Sequence, residues 1–164
     1  MGRDQRVHDN HALLRAQEVA LEQKLPVLVI FNVLPKTGDR AKEHYEFMKL
    51  GLKEVETELK DLNIEFNLMF ESGAKGLLSE LNKLNPSAVV FDFSPLNGPK
   101  SCKQYIAKNA EYKVEVVDAH NIIPTWVASD KEEFAAYTFR NKVHKQLENW
   151  LEDTQRRKFT FTKI

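Results

Sequence analysis

The sequence predicts an α/β fold: a doubly wound, mainly parallel, Rossmann-like sheet of about five strands with helices on both faces. Two observations predict it. Apolar runs of strand length alternate with amphipathic runs of helix length, which indicates βαβ units. One of those runs, PVLVIFNV over Pro26–Val33, is almost continuously apolar, as is typical of a parallel strand buried on both faces. The length of 164 residues fits one domain.

The apolar spacing predicts each element in turn. The first helix has Asp9 or Asn10 as its N-cap, because short polar side chains there accept hydrogen bonds from free backbone amides. In chain order we predict a helix over 9–23, strand 26–33, helix 39–62, strand 65–70, helix 76–84, strand 88–93, helix 101–108, strand 114–118 and a mostly helical segment 131–151.

Composition and motifs exclude several classes of protein. The 24 basic and 24 acidic side chains balance, which argues against strong DNA binding by this chain alone. Cys102 is the single cysteine, no cysteine–histidine cluster indicates a metal, and no glycine-rich phosphate loop is present. No apolar run is long enough to span a membrane. A soluble, cytoplasmic protein is therefore expected.

The carboxyl ends of the strands are the predicted ligand edge, because open parallel sheets bind ligands there. Asp92 and Asp118 both end strands, either as a carboxylate pair or, more commonly, as caps of the following turns. His120 is either a general base or a structural histidine. No residue is assigned a catalytic role. The candidate ligand-binding residues at this edge are Asn32, Val33, Leu34, Asp92, Phe93, Ser94, Asp118, His120 and Asn121.

Four segments resemble a known family. The segments are RDQRVHDNHALLRAQ (Arg3–Gln17), FDFSPL (Phe91–Leu96), the block Val117–Leu147 that begins VDAHNIIPTW, and His44–Glu56. They resemble motifs of the class II cyclobutane-pyrimidine-dimer DNA photolyases, in the right order and spacing. The resemblance covers most of the chain up to about residue 152. It is to the N-terminal α/β domain of that family.

The resemblance implies the antenna half of a two-domain flavoenzyme. In that family a helical domain holds FAD and repairs DNA, while the α/β domain can hold a light-harvesting deazaflavin or folate. Since this chain ends at Ile164, where the helical domain would begin, we expect it to be inactive alone, which leaves its status as a carbon–carbon lyase uncertain.

The resemblance also implies a strand before Arg3, central in the sheet, that this chain lacks. Its absence is expected to open the sheet. Arg6 and Asn10 lie where that strand would deliver its loop, so they join the candidate ligand-binding residues. We divide the chain into an α/β domain over 1–152 and a tail over 153–164. Alternating apolar residues over 158–164 suggest that the tail adds a strand, against the alternative of a frayed terminus.

Partners and function follow from the same resemblance. The residues predicted to meet a second domain are Trp126, Lys131, Phe134, Arg140 and Lys142. An exposed apolar patch around Trp126 and Phe134 would support this and could also form a homodimer. The predicted function is light harvesting. The alternatives are a nucleotide-, small-molecule- or protein-binding module without photochemistry, and a small hydrolase or transferase that uses Asp92, Asp118 and His120.

Overall fold

The computed structural model describes residues 1–34, 41–71 and 73–151. Six helices and four strands lie in these residues, and up to β4 helices and strands alternate as the sequence predicted. In chain order they are α1 (His11–Gln23), β1 (Leu28–Asn32), α2 (Lys42–Asp61), β2 (Glu65–Met69), α3 (Gly73–Lys83), β3 (Ala88–Asp92), α4 (Asn97–Asn109), β4 (Lys113–Val117), α5 (Thr125–Ala128) and α6 (Ala136–Leu147).

The sheet is divided into two parallel pairs. β1 pairs with β2, with Leu28 opposite Glu65, and β3 pairs with β4, with Ala88 opposite Lys113. β1 and β3 are not paired with each other. The α/β class and the parallel strands are confirmed, whereas the part of the chain that the structure describes contains four strands instead of about five. The expected opening of the sheet is present between these two pairs.

The first four residues connect the two pairs. The backbone nitrogen of Met1 donates to the carbonyl oxygen of Ile30 in β1 at 2.8 Å. The backbone nitrogens of Gly2 and Arg3 donate to the carboxylate of Asp92 in β3, at 3.0 and 2.6 Å. One short segment therefore contacts a strand of each half-sheet.

The helices cover both faces of the sheet. α1 packs on β3 and β4, and α2 packs on β2. α3 packs on α4, which in turn packs on β4. The main apolar cluster lies beneath α1 and α2, and its buried members are Val7, Leu13, Val29, Val55, Leu59 and Ile64.

The helix boundaries differ most from the prediction after β3. α4 begins at Asn97, four residues before the predicted start, because Pro99 fits a first helical turn, where a backbone donor is not needed. The short helix α5 was not predicted. Residues 131–135 are not helical, and α6 begins only at Ala136, because side-chain hydrogen bonds around Ser129 hold this stretch as a loop.

None of the described helices is long and apolar enough to cross a bilayer. No group of three or more histidine, cysteine, aspartate or glutamate side chains in the described ranges is placed to hold a metal ion. The predicted strand over 158–164 and the boundary at residues 152 and 153 lie outside the described residues.

An ion pair joins α1 to β4 across the sheet face. Arg15 donates to both carboxylate oxygens of Glu115, at 2.7 and 3.1 Å, and Lys113 contacts the same carboxylate at 2.5 Å. The hydrogen bonds from Arg15 and Lys113 lower the pKa of Glu115 to about 2. Because the folded pKa lies below the usual value of 4.5, this pair stabilises the fold above that value and loses its effect as the pH falls toward 2.

Substitution of Glu115 by glutamine tests this pair. We expect Glu115→Gln to lower the free energy of unfolding by about 1 kcal/mol near neutral pH, since partly exposed pairs contribute modestly. The loss should shrink below the usual glutamate pKa, because the unfolded chain then binds a proton that the native carboxylate does not bind until the pH nears 2. Urea titrations from neutral pH to pH 3 measure it, with Glu111→Gln as the control on an exposed glutamate. Equal losses at both extremes of pH would contradict the assignment.

Candidate functional site

The loop after β4 is built around Asp118, whose side chain is almost fully buried. Its carboxylate accepts hydrogen bonds from the backbone nitrogens of His120, Asn121 and Thr125, all at 3.1 Å, and from the side-chain amide of Asn121. Burial raises the pKa of Asp118, but these hydrogen bonds outweigh it and the net shift is downward. Asp118 therefore caps the loop and the start of α5, and a carboxylate with a lowered pKa is a poor general base.

The amino-terminal segment docks on this same loop. Arg6 donates to the carbonyl oxygens of Ala119 at 2.8 Å and Asp9 at 3.2 Å, and its guanidinium lies 3.3 Å from the buried carboxylate of Asp4. The same Asp4 oxygen lies 3.2 Å from Nδ1 of His120. Two of the sequence motifs, one around Arg6 and the other around His120, are thus in direct contact.

Asn10 fixes the shape of that segment. Its side-chain oxygen accepts from the backbone nitrogen of Leu13 at 3.1 Å, which confirms Asn10 as the N-cap of α1. Its side-chain nitrogen donates to the carbonyl oxygens of Asp4 and Arg6. Both polar atoms of the Asn10 side chain are hydrogen-bonded within the chain. Only the position of Asn10 therefore supports its predicted place in a ligand site.

Asp92 binds backbone nitrogens at the end of β3, as Asp118 does after β4. One of its carboxylate oxygens accepts from the backbone nitrogens of Gly2, Arg3 and Asp4, at 3.0, 2.6 and 3.4 Å. A Cβ atom at Gly2 would lie 3.0 Å from the other oxygen, so glycine permits the close approach. Lys103 of α4 donates to the Asp92 carbonyl oxygen from beneath. Asp92 is thus a structural anchor for the first residues of the chain.

The end of β1 is held by Asn32. Its side chain donates to the carbonyl oxygen of Glu71 at 3.1 Å and accepts from the Glu71 backbone nitrogen at 2.9 Å, which joins the ends of β1 and β2. Val33 and Leu34 follow, and Leu34 is half-exposed. These three residues lie on the β1–β2 half of the edge, separate from the Asp118 loop.

Two aromatic rings meet beyond β3 and β4. The rings of Phe93 and Trp126 are 5.6 Å apart between centroids and stand edge to face, 76° between planes. Trp126 remains 51% exposed, and the nearby strand-end loops also expose Leu96 and Ile122. Ser94 follows Phe93, half-buried, with its side chain near the backbone of Leu96. This part of the edge offers an exposed apolar surface beside hydrogen-bonding groups.

An open cleft lies beside that surface, between α5 and α6. It has a volume of about 380 Å³ and is lined by Thr125, Ser129, Lys131, Glu133, Phe134, Ala135, Ala136 and Phe139. Phe134 is fully exposed. The exposed apolar patch expected around Trp126 and Phe134 is therefore present.

The polar residues predicted to meet a second domain divide into two groups. Lys142 is bound within the chain, since it pairs with Glu133 at 2.7 Å and Asp130 at 3.2 Å and donates to Ser129 at 2.9 Å. Its contact with a second domain stays a prediction. Lys131 and Arg140 are exposed. Their contact with a second domain stays a prediction.

Comparison with known proteins identifies the fold. The family model described as DNA photolyase matches residues 1–158. The chain belongs to the DNA photolyase family. It is 41% identical over 155 residues to a deoxyribodipyrimidine photo-lyase of Potorous tridactylus, and 35% identical over 153 residues to one of Arabidopsis thaliana. Each alignment covers 92% of this chain but only 29% and 31% of those photolyases.

A solved structure agrees with this assignment at the level of fold. A bacterial class III photolyase from Agrobacterium tumefaciens superposes on 83% of this chain with a TM-score of 0.58 and 17% identity, and the match covers 28% of that photolyase. The chain is therefore a photolyase N-terminal domain. It spans about 30% of the length of the curated relatives that it matches.

The structure brings together part of the predicted site and explains what sequence reasoning missed. Arg6, His120 and Asn121 lie on the Asp118 loop, Phe93 and Ser94 lie near Trp126, and Asn32 to Leu34 lie apart. The sequence did not reveal four residues that bind the predicted site residues, namely Gly2, Asp4, Lys103 and Glu71. Asp4 stands inside the Arg3–Gln17 motif, and that was the signal available for it.

Proposed function

We propose that this photolyase N-terminal domain is a light-harvesting domain of the class II type, which holds a flat aromatic chromophore such as a deazaflavin or a folate. The observation that carries the proposal is the half-exposed Trp126 ring packed edge to face on Phe93 at the carboxyl edge of the sheet. An indole that is fixed on one side and open on the other can stack on a planar ligand.

Polar groups beside the Phe93–Trp126 ring pair would orient a bound chromophore. His120 is partly exposed while its Nδ1 faces Asp4, which leaves the other side of the imidazole toward solvent. Ser94 and Asn121 are half-buried at the ends of the neighbouring loops. Ligand sites of this kind combine an apolar platform with a few placed polar groups. The proposed contacts are therefore Phe93, Ser94, His120, Asn121 and Trp126.

Uptake of a chromophore tests the proposal. The purified chain is mixed with a deazaflavin, a folate and FMN in turn, and binding is measured by quenching of ligand fluorescence. We expect the deazaflavin or the folate to bind, and Trp126→Ala to weaken that binding about tenfold, the order expected for loss of an aromatic stack. Trp150→Ala is the matched control, since Trp150 has similar exposure (38%) beyond α6.

A second candidate is a protein-binding module without photochemistry. It is favoured by the polar side chains at the strand ends. Asn32, Asp92 and Asp118 form hydrogen bonds within the chain, which leaves fewer polar groups to bind a chromophore. Failure of all three ligands to bind would reject light harvesting and favour this module. Equal loss of binding in Trp126→Ala and Trp150→Ala would reject the proposed platform.

A further inference from the structure

Three aspartates are buried at the carboxyl edge of the sheet, and Asp4 differs from the other two in what it binds. The carboxylates of Asp92 and Asp118 accept hydrogen bonds from backbone nitrogens, as aspartates at turns commonly do. Among the described residues, the side chain of Asp4 accepts none from the backbone. It contacts the guanidinium of Arg6 and the imidazole of His120 instead. Asp4 therefore positions two polar side chains.

The contact with Asp4 determines which nitrogen of the His120 ring carries the hydrogen. Oδ1 of Asp4 lies 3.2 Å from Nδ1 of His120 and 3.3 Å from the Arg6 guanidinium. A carboxylate paired with a guanidinium only accepts hydrogen bonds, so Nδ1 is the donor in this contact. In the neutral imidazole the other nitrogen, Nε2, is then an acceptor. The His120 side chain is 42% exposed, and Nε2 is on the side of the ring away from the buried carboxylate.

The second oxygen of Asp4 indicates a role beyond the fold. The Asp4 side chain is 5% exposed, yet its Oδ2 atom has no hydrogen-bond partner in the part of the chain that the structure describes. A buried acceptor left unpaired costs about 1–3 kcal/mol, and a bound group is one of the reasons why native proteins retain such atoms. By contrast, both oxygens of Asp118 accept backbone hydrogen bonds. The hydrogen-bonding capacity around Asp4 is therefore only partly used.

Arg6 supplies donors beside the His120 acceptor. Its guanidinium donates to Asp4 and to the carbonyl oxygens of Ala119 and Asp9, which uses three of its five N–H groups. Its side chain is 46% exposed, so the remaining N–H groups face solvent. Because Arg6 and His120 contact the same oxygen of Asp4, a donor and an acceptor lie side by side. Such a pair complements an amide edge, in which a carbonyl oxygen stands next to an N–H group.

We propose that Arg6, Asp4 and His120 determine which ligand the chromophore site selects, by recognising the edge of a cyclic amide or imide. The ligand N–H donates to Nε2 of His120, and the adjacent ligand carbonyl accepts from Arg6. This inference rests on the proposed function, in which Trp126 supplies the stacking surface. Deazaflavins and the pterin ring of folates both carry such an edge. A site that hydrogen-bonds an N–H group discriminates against an analogue that lacks it.

Methylated ligands test this selection. A deazaflavin and a folate are each compared with the derivative in which the ring N–H beside the carbonyl group carries a methyl group, and binding is measured by fluorescence quenching. We expect the wild-type chain to bind the parent about tenfold more tightly than the derivative. His120→Ala should weaken the parent alone and so abolish this preference. Trp126→Ala should weaken both ligands equally and keep it.

Asp4→Asn tests the positioning of His120 by Asp4. An asparagine amide that donates to Nδ1 moves the ring hydrogen to Nε2, so the acceptor is lost and the preference should disappear as in His120→Ala. His8→Ala is the matched control, because His8 is 53% exposed and its Nε2 lies 3.5 Å from the carboxylate of Glu58 on α2. Circular dichroism verifies the fold of each variant. Since His120 is exposed, His120→Ala decides the proposal even if Asp4→Asn does not fold.

The outcomes distinguish this inference from the proposed function. If neither parent ligand binds the wild-type chain, the proposed function and this inference both fail. If a parent binds but its methylated derivative binds equally well, the selection by Arg6 and His120 is overturned while the proposed function stands. The same conclusion follows if His120→Ala keeps the preference or His8→Ala removes it. An unchanged preference in a folded Asp4→Asn would overturn the role of Asp4.

Discussion

Asp118→Asn is expected to lower the free energy of unfolding by about 3 kcal/mol, one of the two largest effects that we predict. The carboxylate is 2% exposed and accepts from three backbone nitrogens and one side-chain amide. An asparagine there offers one oxygen in place of two and turns an amide donor toward other donors. Buried donors left unpaired cost about 1–3 kcal/mol each, somewhat less where the loop relaxes.

The pH dependence separates this effect from a simple loss of packing. Since the folded pKa of Asp118 is lowered from its usual value of 3.8, the charged carboxylate stabilises the fold above that value, and this contribution disappears as the pH falls through the folded pKa. Asp118→Asn should therefore differ most from wild type near neutral pH and least in strong acid. Chemical denaturation at several pH values measures the difference.

Asp61→Asn provides the control, because Asp61 ends α2 and is exposed. Its effect should remain within about 0.5 kcal/mol, as is usual for surface positions. A loss of less than about 1 kcal/mol in Asp118→Asn would show that the loop does not depend on this carboxylate. The Asp118 loop also carries His120 and Asn121, so the same variant should weaken chromophore binding if the proposed site is correct.

Local periodicity was sufficient to predict most of the elements. Pro26–Val33 overruns β1 by two residues at its start and one at its end, and Glu65–Phe70 overruns β2 by one residue. The residues of β1 are all buried or half-buried, which leaves an apolar run that a single sequence displays. Asn10 was predictable as an N-cap for a similar reason, since the cap acts within one turn of its own helix. Such features depend on neighbours in the chain.

The site depended on contacts between distant segments, which periodicity does not encode. Nothing near Asp92 in the sequence indicates that it binds the backbone of residues 2–4, about ninety residues away. The ion pair between Lys142 and Glu133 is equally hidden in the sequence, because it requires the chain to turn between residues 131 and 135. The family motifs contain these residues, but only the fold shows that many of them bind one another.

The second large effect concerns Asp92, and it tests how the two half-sheets are held together. We expect Asp92→Ala to lower the free energy of unfolding by about 3 kcal/mol, because three backbone donors lose a charged acceptor in a mostly buried position. Asp92→Asn should fall between Ala and wild type, since its one side-chain oxygen can still accept. Thermal and urea denaturation measure the order of the three proteins.

Hydrogen exchange distinguishes this role from a general loss of stability. If Asp92 anchors the amino-terminal segment, the amides of Gly2 to Asp4 should exchange much faster in Asp92→Ala, while Leu59 and Ile106 in the core keep protection that falls only with global stability. The Arg6 contact with Ala119 starts two residues beyond this segment, so it should loosen next. Uniform acceleration along the whole chain would mean that the half-sheets are joined by their helices alone, and that the bridge through residues 1–4 contributes little.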